Sequence, residues 1–364
     1  MEQNEQALRE QLVRAGNRLL ESGLVARTWG NLSARLSDTE FLITPSGLAY
    51  ERLTPEDMAA VRFDTLESRG PHRPSSEKGM HAAIYRLRPE ANFLIHTHQY
   101  AASCVGAAGR DLPDAGAPGG VIPCAQYGMP STKKLAGAAA AAFAANPEAG
   151  AVFLRGHGAV CAGADEEDAF SAAMSLESAC LRELAGSEPD GALTQDCGSS
   201  VREGERFRLK VGGEVVLYEV RDTELPFPAD LHAAVYRGTS ARCILADRSP
   251  AVAELSRRGR SLRPYLDDLA QIAGAELLCV KAEPQRAAAA LFGKNAVLLR
   301  CLGALCTGKT REDAEAVRTI LEKDCRAQLY AENVPGAGPL ARTDAALQRA
   351  VYLNRYARLK EADR

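Results

Sequence analysis

The chain repeats itself. Residues 151–180, AVFLRGHGAVCAGADEEDAFSAAMSLESAC, align without a gap on residues 296–325, AVLLRCLGALCTGKTREDAEAVRTILEKDC, with 14 of 30 positions identical. A second ungapped match joins MHAAIYRLRPEANFLIHTHQ (80–99) to LHAAVYRGTSARCILADRSP (231–250). Two matches in the same order mean a tandem duplication, so one half constrains what the other folds into. At 364 residues the chain is long enough for two such domains.

The first copy is expected over 1–195 and the second over 200–330, with a C-terminal loop and helix over 331–364. The segment GSEPDGALTQDCGSS (186–200) reads as the linker, since nothing in it is periodic or apolar enough to pack. The second copy is shorter at its front, where Pro228 follows the linker far sooner than Glu77 follows the N-terminus. In the tail, Thr343 reads as the cap of a final amphipathic helix carrying Leu347, Val351, Leu353 and Tyr356.

Hydrophobic periodicity in the first copy predicts a helix over 5–22, short strands at NLSARLS and EFLITPS, a helix over 76–88 and a strand NFLIHTH over 92–98. An Ala-rich helix (131–145), a strand GAVFLR with GAVCAG returning, and a helix (165–184) follow. Several turns are too short for parallel crossovers, which predicts an α/β fold with a mixed, partly antiparallel sheet covered by helices.

Composition excludes some functions. Lys+Arg 44 against Asp+Glu 47 gives a net charge of −3, and there is no basic block, so nothing favours nucleic acid or an anionic membrane as partner. No stretch reaches the roughly 18 apolar residues of a membrane span, and the N-terminus is a charged helical pattern without an apolar signal core, so a cytoplasmic location is expected. The ten cysteines include no C-x-x-C pair, and Cys104, Cys161 and Cys279 sit inside apolar runs. Both facts argue against a disulfide framework and a thiolate zinc site.

The histidines carry more information. His96 and His98, at i and i+2 near the end of an apolar strand, leave the same face of a sheet. His157 lies between Gly156 and Gly158, directly after another strand. Three neutral imidazoles with an open position are the ligand set of a catalytic Zn²⁺ site, although an H-x-H pair taken alone is weak evidence and reads first as two satisfied strand-end histidines. The repeat supplies a control. At the matched positions the second copy has Asp247, Ser249 and Leu302, while Arg155, Gly158 and Cys161 persist as Arg300, Gly303 and Cys306. A scaffold kept while three ligands vanish together reads as a dead copy of a metal site. His81 persists as His232, which reads as structural, and His72 in a Gly/Pro loop is left without a role.

Ser75 and Ser76 fall where a helix N-cap belongs, and the free N–H groups there bind anions. Glu77 is then either an ordinary helix-start acid or a general base beside the metal. The second copy has Pro226, Phe227 and Pro228 at these positions, which favours the functional reading. WGNLS (Gly30, Asn31, Ser33) and TPSG (Thr44, Ser46, Gly47) are polar loops without an evident counterpart in copy two.

The motifs GNLS, ITPSG, PSSE, HTH and GHG, in this order and spacing, resemble the class II aldolase/adducin family over about residues 1–184 and more faintly over 225–330. The resemblance implies a three-layer α/β/α fold with a central, largely antiparallel sheet. It implies one Zn²⁺ per chain on His96, His98 and His157, with Glu77 as acid/base and Asn31, Ser46, Gly47, Ser75 and Ser76 on a substrate phosphate. The implied activity is that of an aldehyde-lyase cleaving a small, phosphorylated hydroxy-carbonyl sugar through a Zn-stabilised enediolate. The related pentulose-phosphate 4-epimerases carry Asp where this chain has Glu77; an epimerase and a non-catalytic, adducin-like assembly protein are the alternatives. The family's proton-donating tyrosine has no equivalent in the loop 109–120, and Tyr127 is not at that motif position. Family members are typically fourfold tetramers, so a chain with two copies is expected to form a homodimer imitating such a ring. Copy two or the tail helix, with Tyr356 a candidate, would then supply the donor.

Overall fold

The computed structural model describes residues 2–25, 29–186, 189, 193 and 195–356, and it divides into two compact units, Met1–Gly186 and Ser187–Arg364. In the first unit, helix α1 (Glu2–Glu21) precedes strands β1 (Asn31–Arg35), β2 (Glu40–Ile43), β3 (Ala59–Arg62) and β4 (Ser68–Arg69). Helix α2 (Lys78–Leu87), strand β5 (Phe93–Thr97), helix α3 (Tyr100–Gly106) and strand β6 (Cys124–Ala125) follow. Helix α4 (Lys133–Ala145), strands β7 (Ala151–Leu154) and β8 (Gly158–Gly163) and helix α5 (Glu166–Ala185) complete the unit. The strands form one sheet in the order β4-β3-β2-β1-β5-β8-β7-β6, antiparallel except for the β6/β7 pair.

Helices α2 and α4 close one face over a core that includes Phe41, Leu94, Val152 and Val160, while α1, α3 and α5 pack on the other. The result is the three-layer α/β/α architecture expected. Local signals set the helix ends: Thr132 accepts from the Leu135 N–H before α4, and Asp165 accepts from the Asp168 N–H before α5. Glu166, Glu167 and Asp168 in the first turn of α5 complement its dipole.

The second unit repeats the plan. Strands β9 (Ser199–Glu203), β10 (Arg206–Val211) and β11 (Glu214–Glu219) lead to helix α6 (Ala229–Gly238), strand β12 (Cys243–Asp247) and helix α7 (Pro250–Arg258). Helix α8 (Asp267–Ile272), strand β13 (Cys279–Val280), helix α9 (Pro284–Ala290) and strands β14 (Ala296–Leu299) and β15 (Gly303–Gly308) come next. Helices α10 (Arg311–Ala331) and α11 (Arg342–Val351) end the unit. Its sheet order, β11-β10-β9-β12-β15-β14-β13, matches the first sheet strand for strand without β4.

Each unit buries the same hydrogen-bonded trio between its first long strand and the helix that follows. Ser33 Oγ lies 2.6 Å from His81 Nδ1 and 2.9 Å from the Tyr85 hydroxyl. Ser200 Oγ lies 2.6 Å from His232 Nδ1 and 2.7 Å from the Tyr236 hydroxyl. Burial pushes His81 down to about 3 and His232 to about 4, so both are neutral polar plugs in a core, as expected of His81.

Three expectations change. Cys197 is fully buried and Ser199 opens β9, so packing of the second unit begins inside the segment that reads as linker. The backbone of β9 is paired on both sides, by β10 and β12, and its side chains alone give no sign of this. For the same reason GNLS does have a counterpart, Gly198–Ser200, set against β12 as Asn31–Ser33 are set against β5. Finally, α11 starts at Arg342 with Ala341 as N-cap and no side-chain cap bond, so Thr343 lies within the helix. Part of the shorter front of copy two comes from the β10/β11 turn, where Gly212 and Gly213 at φ 58° and 93° replace the excursion 44–58, and among the described residues no helix stands before β9 as α1 stands before β1.

Candidate active site

Three strands and one helix start build the site. Strand β5 runs between β1 and β8, with His96 opposite Asn31 on one side and Val160 on the other. Its imidazole is fully buried, and Nδ1 donates to the Ala159 carbonyl at 2.8 Å, which turns Nε2 toward His98 and Glu77. His98 follows just beyond the strand on the same face, with its Nε2 3.1 Å from that of His96. His157 sits in the tight β7/β8 turn, where Gly156 takes φ 68°. A Cβ on Gly158 would meet the Thr97 carbonyl oxygen at 2.2 Å, so only glycine lets this turn close on β5.

His96, His98 and His157 each offer a ring nitrogen, and these atoms lie within 4.8 Å of one another. Nitrogens at ~2.1 Å from a tetrahedral Zn²⁺ sit about 3.4 Å apart, so the trio fits such an ion. Glu77, the residue before α2, closes the group: its carboxylate lies 2.9 Å from His157 Nε2 and 3.0 Å from His96 Nε2. Asn31 Nδ2 donates to the same carboxylate at 3.1 Å. Burial pushes Glu77 up, but the imidazoles of His96 and His157 pull harder and hold it well below the usual carboxylate range. Glu77 therefore sits as a carboxylate beside the three imidazoles.

The two serine loops are stitched together next to this carboxylate. Ser46 N–H donates to the Arg73 carbonyl at 3.0 Å and Ser75 N–H to the Thr44 carbonyl at 3.1 Å. Ser75 Oγ accepts from the Glu77 N–H at 3.2 Å. Gly47 takes φ 83° with open space where a Cβ would be, so glycine is there for the turn. The structure thus sets Asn31 against Glu77 and ties the loop carrying Ser46 and Gly47 to the one carrying Ser75 and Ser76, which leads directly into Glu77. The fixing of His96 by the Ala159 carbonyl had no signal in the sequence, because a backbone acceptor carries no residue signature. The side chain of Tyr356 lies outside the described residues.

The second unit corrects the pairing of ligands with their replacements. Val160 corresponds to Leu305; Val160 is opposite His96, whereas Leu305 is opposite Ala246. The true counterparts of His96 and His98 are therefore Ala246 and Arg248, one residue earlier than an ungapped match places them, because the loop before β12 is one residue shorter. Leu302 does stand for His157, Gly198 for Asn31 and Pro228 for Glu77. Pro228 holds the same place before α6, with φ −94° against −97° for Glu77. Arg248 donates to the Leu193 carbonyl and lies 3.8 Å from Asp196, so its guanidinium is committed to the chain leading into β9.

The first unit gathers three imidazoles and a carboxylate in a three-layer α/β/α frame, and the second unit keeps that frame without them. The model of the family described as Class II Aldolase and Adducin N-terminal domain matches residues 10–184 and again 209–329. The chain belongs to the class II aldolase/adducin family and carries two copies of its domain. It is 34% identical over 174 residues to 5-deoxy-D-ribulose 1-phosphate aldolase of Bacillus thuringiensis serovar kurstaki, covering 46% of this chain and 80% of that protein. It is 33% identical over 182 residues to L-fuculose phosphate aldolase of Escherichia coli O6:H1, covering 49% and 81%. It is also 39% identical over 114 residues to L-ribulose-5-phosphate 4-epimerase UlaF of Salmonella paratyphi B, covering 30% and 49%. Among solved structures, an L-fuculose 1-phosphate aldolase at 26% identity covers 52% of this chain and 91% of its own, with a TM-score of 0.47. No described helix is long and apolar enough to cross a membrane.

Proposed function

We propose that the first unit is a Zn²⁺-dependent aldolase, an aldehyde-lyase that breaks a C–C bond of a small phosphorylated hydroxy-carbonyl sugar. One observation carries the reading: His96, His98, His157, Glu77 and Asn31 converge in the first unit, and all five are replaced together in a second unit that keeps the fold. Two of the relatives above are named as aldolases of sugar phosphates, which supports the substrate class. His96, His98 and His157 would hold the Zn²⁺, which would supply Lewis acidity for polarising the substrate's oxygens. Glu77 takes and returns the proton, and Asn31 holds its carboxylate in place. The hydroxyls of Ser46, Ser75 and Ser76, with Gly47, form the mouth for a phosphate at the start of α2. The Ser46 and Ser75 amides already serve the loop, so side chains carry more of that recognition than backbone.

Product analysis of the zinc-loaded full chain on a panel of phosphorylated and free ketoses tests the reading. The expected products are two shorter carbonyl fragments. An intact epimer would instead make the enzyme a 4-epimerase, and turnover of none of the panel would favour the adducin-like assembly role.

We further propose a homodimer in which two tandem chains supply four domains, the metal-free copy walling the neighbouring site. Light scattering at micromolar concentration is expected to return twice the chain mass. A monomer that is fully active would refute this arrangement.

A further inference from the structure

His98, like His157, lies just outside the paired strands. His96 is paired on both sides, but β5 ends at Thr97, so the backbone of His98 lies between Thr97 and Gln99 just beyond the strand. Those neighbours are tied to helix α5. Thr97 is fully buried, and its side chain leaves the sheet on the face opposite His96; its Oγ1 donates to Gln99 Oε1 at 2.5 Å. Gln99, 1% exposed, donates from Nε2 to the Ala173 carbonyl at 2.8 Å, in the middle of α5. One turn further along α5, the Glu177 carboxylate accepts from the Ala101 and Ala102 N–H groups at 2.8 and 3.0 Å.

The duplicated unit separates the roles of these ties. Glu177 recurs as Glu322 in the copy without the histidines, so that residue is kept independently of them. Thr97 and Gln99 do not recur. Asp247 and Ser249 stand in their places, and there the Ser249 N–H donates to Asp247 Oδ1 at 2.9 Å. Ala173 itself becomes Arg318. The Thr97–Gln99–Ala173 chain was lost along with the histidines.

We propose that Gln99 is a positioning residue: held by Thr97 and by the Ala173 carbonyl, it fixes the backbone on both sides of His98 and so sets where the third metal ligand points. This rests on the metal-site reading above. It also assigns a function to two buried side chains that touch neither metal nor substrate. Residues behind a metal's ligands typically change its affinity by about 10–100-fold when removed, and the same range is expected here.

The test is titration of the metal-free full chain with Co²⁺, following its visible absorption band, beside thermal unfolding of each variant. Gln99→Met keeps length and bulk without the amide, and Thr97→Val keeps shape without the hydroxyl. Both are expected to bind Co²⁺ about 10–100-fold more weakly with an altered band, whereas Thr97→Ser is expected to restore wild-type binding. If both variants are folded and bind Co²⁺ with wild-type affinity and spectrum, the proposal is overturned and the chain of hydrogen bonds only stabilises the fold. If the wild-type chain itself shows no Co²⁺ band, the metal-site reading has failed, and the proposal with it.

Discussion

Glu77→Gln is expected to keep its metal and to lose roughly 10²–10⁴-fold in turnover, the usual scale for removing a positioned acid/base. Glutamine has the same shape and keeps an oxygen that accepts from Asn31 Nδ2, so the local packing survives. It has no negative charge and cannot take the substrate's proton. Metal content separates this cause from collapse of the site, because the ligating imidazoles are untouched. Steady-state rates on the substrate found by the ketose panel supply the measurement, and wild-type turnover by this variant would show that the proton moves through another group.

His96→Ala should remove metal and activity together. In the proposed site its Nε2 holds the metal, and its ring is fully buried between β1 and β8, so alanine would delete a ligand and strip the Ala159 carbonyl of its donor. An unsatisfied buried acceptor costs about 1–3 kcal/mol, so some loss of thermal stability is expected as well. The informative comparison is with wild-type protein treated with a chelator. Both should fall to the same residual rate, and zinc should rescue only the wild type. A His96→Ala protein that still turns over substrate in the presence of chelator would contradict the ligand assignment.

Most of the architecture was legible because the chain states it twice. The repeat fixed which segments are elements, and alternation in FLIHTH put His96 and His98 on one face, as the structure has them. The same strand also shows where sequence reasoning slipped. Identity between copies is dense over HAAIYR and HAAVYR and thin beyond, so a deletion in the intervening loop goes unseen when the match is extended without a gap. A one-residue slip in a strand swaps its faces. It set Asp247 against His96, whereas Asp247 occupies the place of Thr97 and points to the other face. The polar strand Ser199–Glu203 was missed for a related reason: two neighbouring strands hold its backbone, and its one diagnostic side chain, Ser200, matters through a bond to His232 that only the fold reveals. The hydrogen bonds behind His98 are tertiary throughout, and no spacing along the chain encodes them.

Counting metal is the most direct test, because everything proposed depends on one site being intact and its duplicate being dead. Elemental analysis of the purified full chain, saturated with zinc and freed of excess, is predicted to give one Zn²⁺ per chain held by the first unit. Ala246, Arg248 and Leu302 offer no imidazole or carboxylate to a second. A value of zero, or a second ion of equal affinity that survives His96→Ala, would contradict the account.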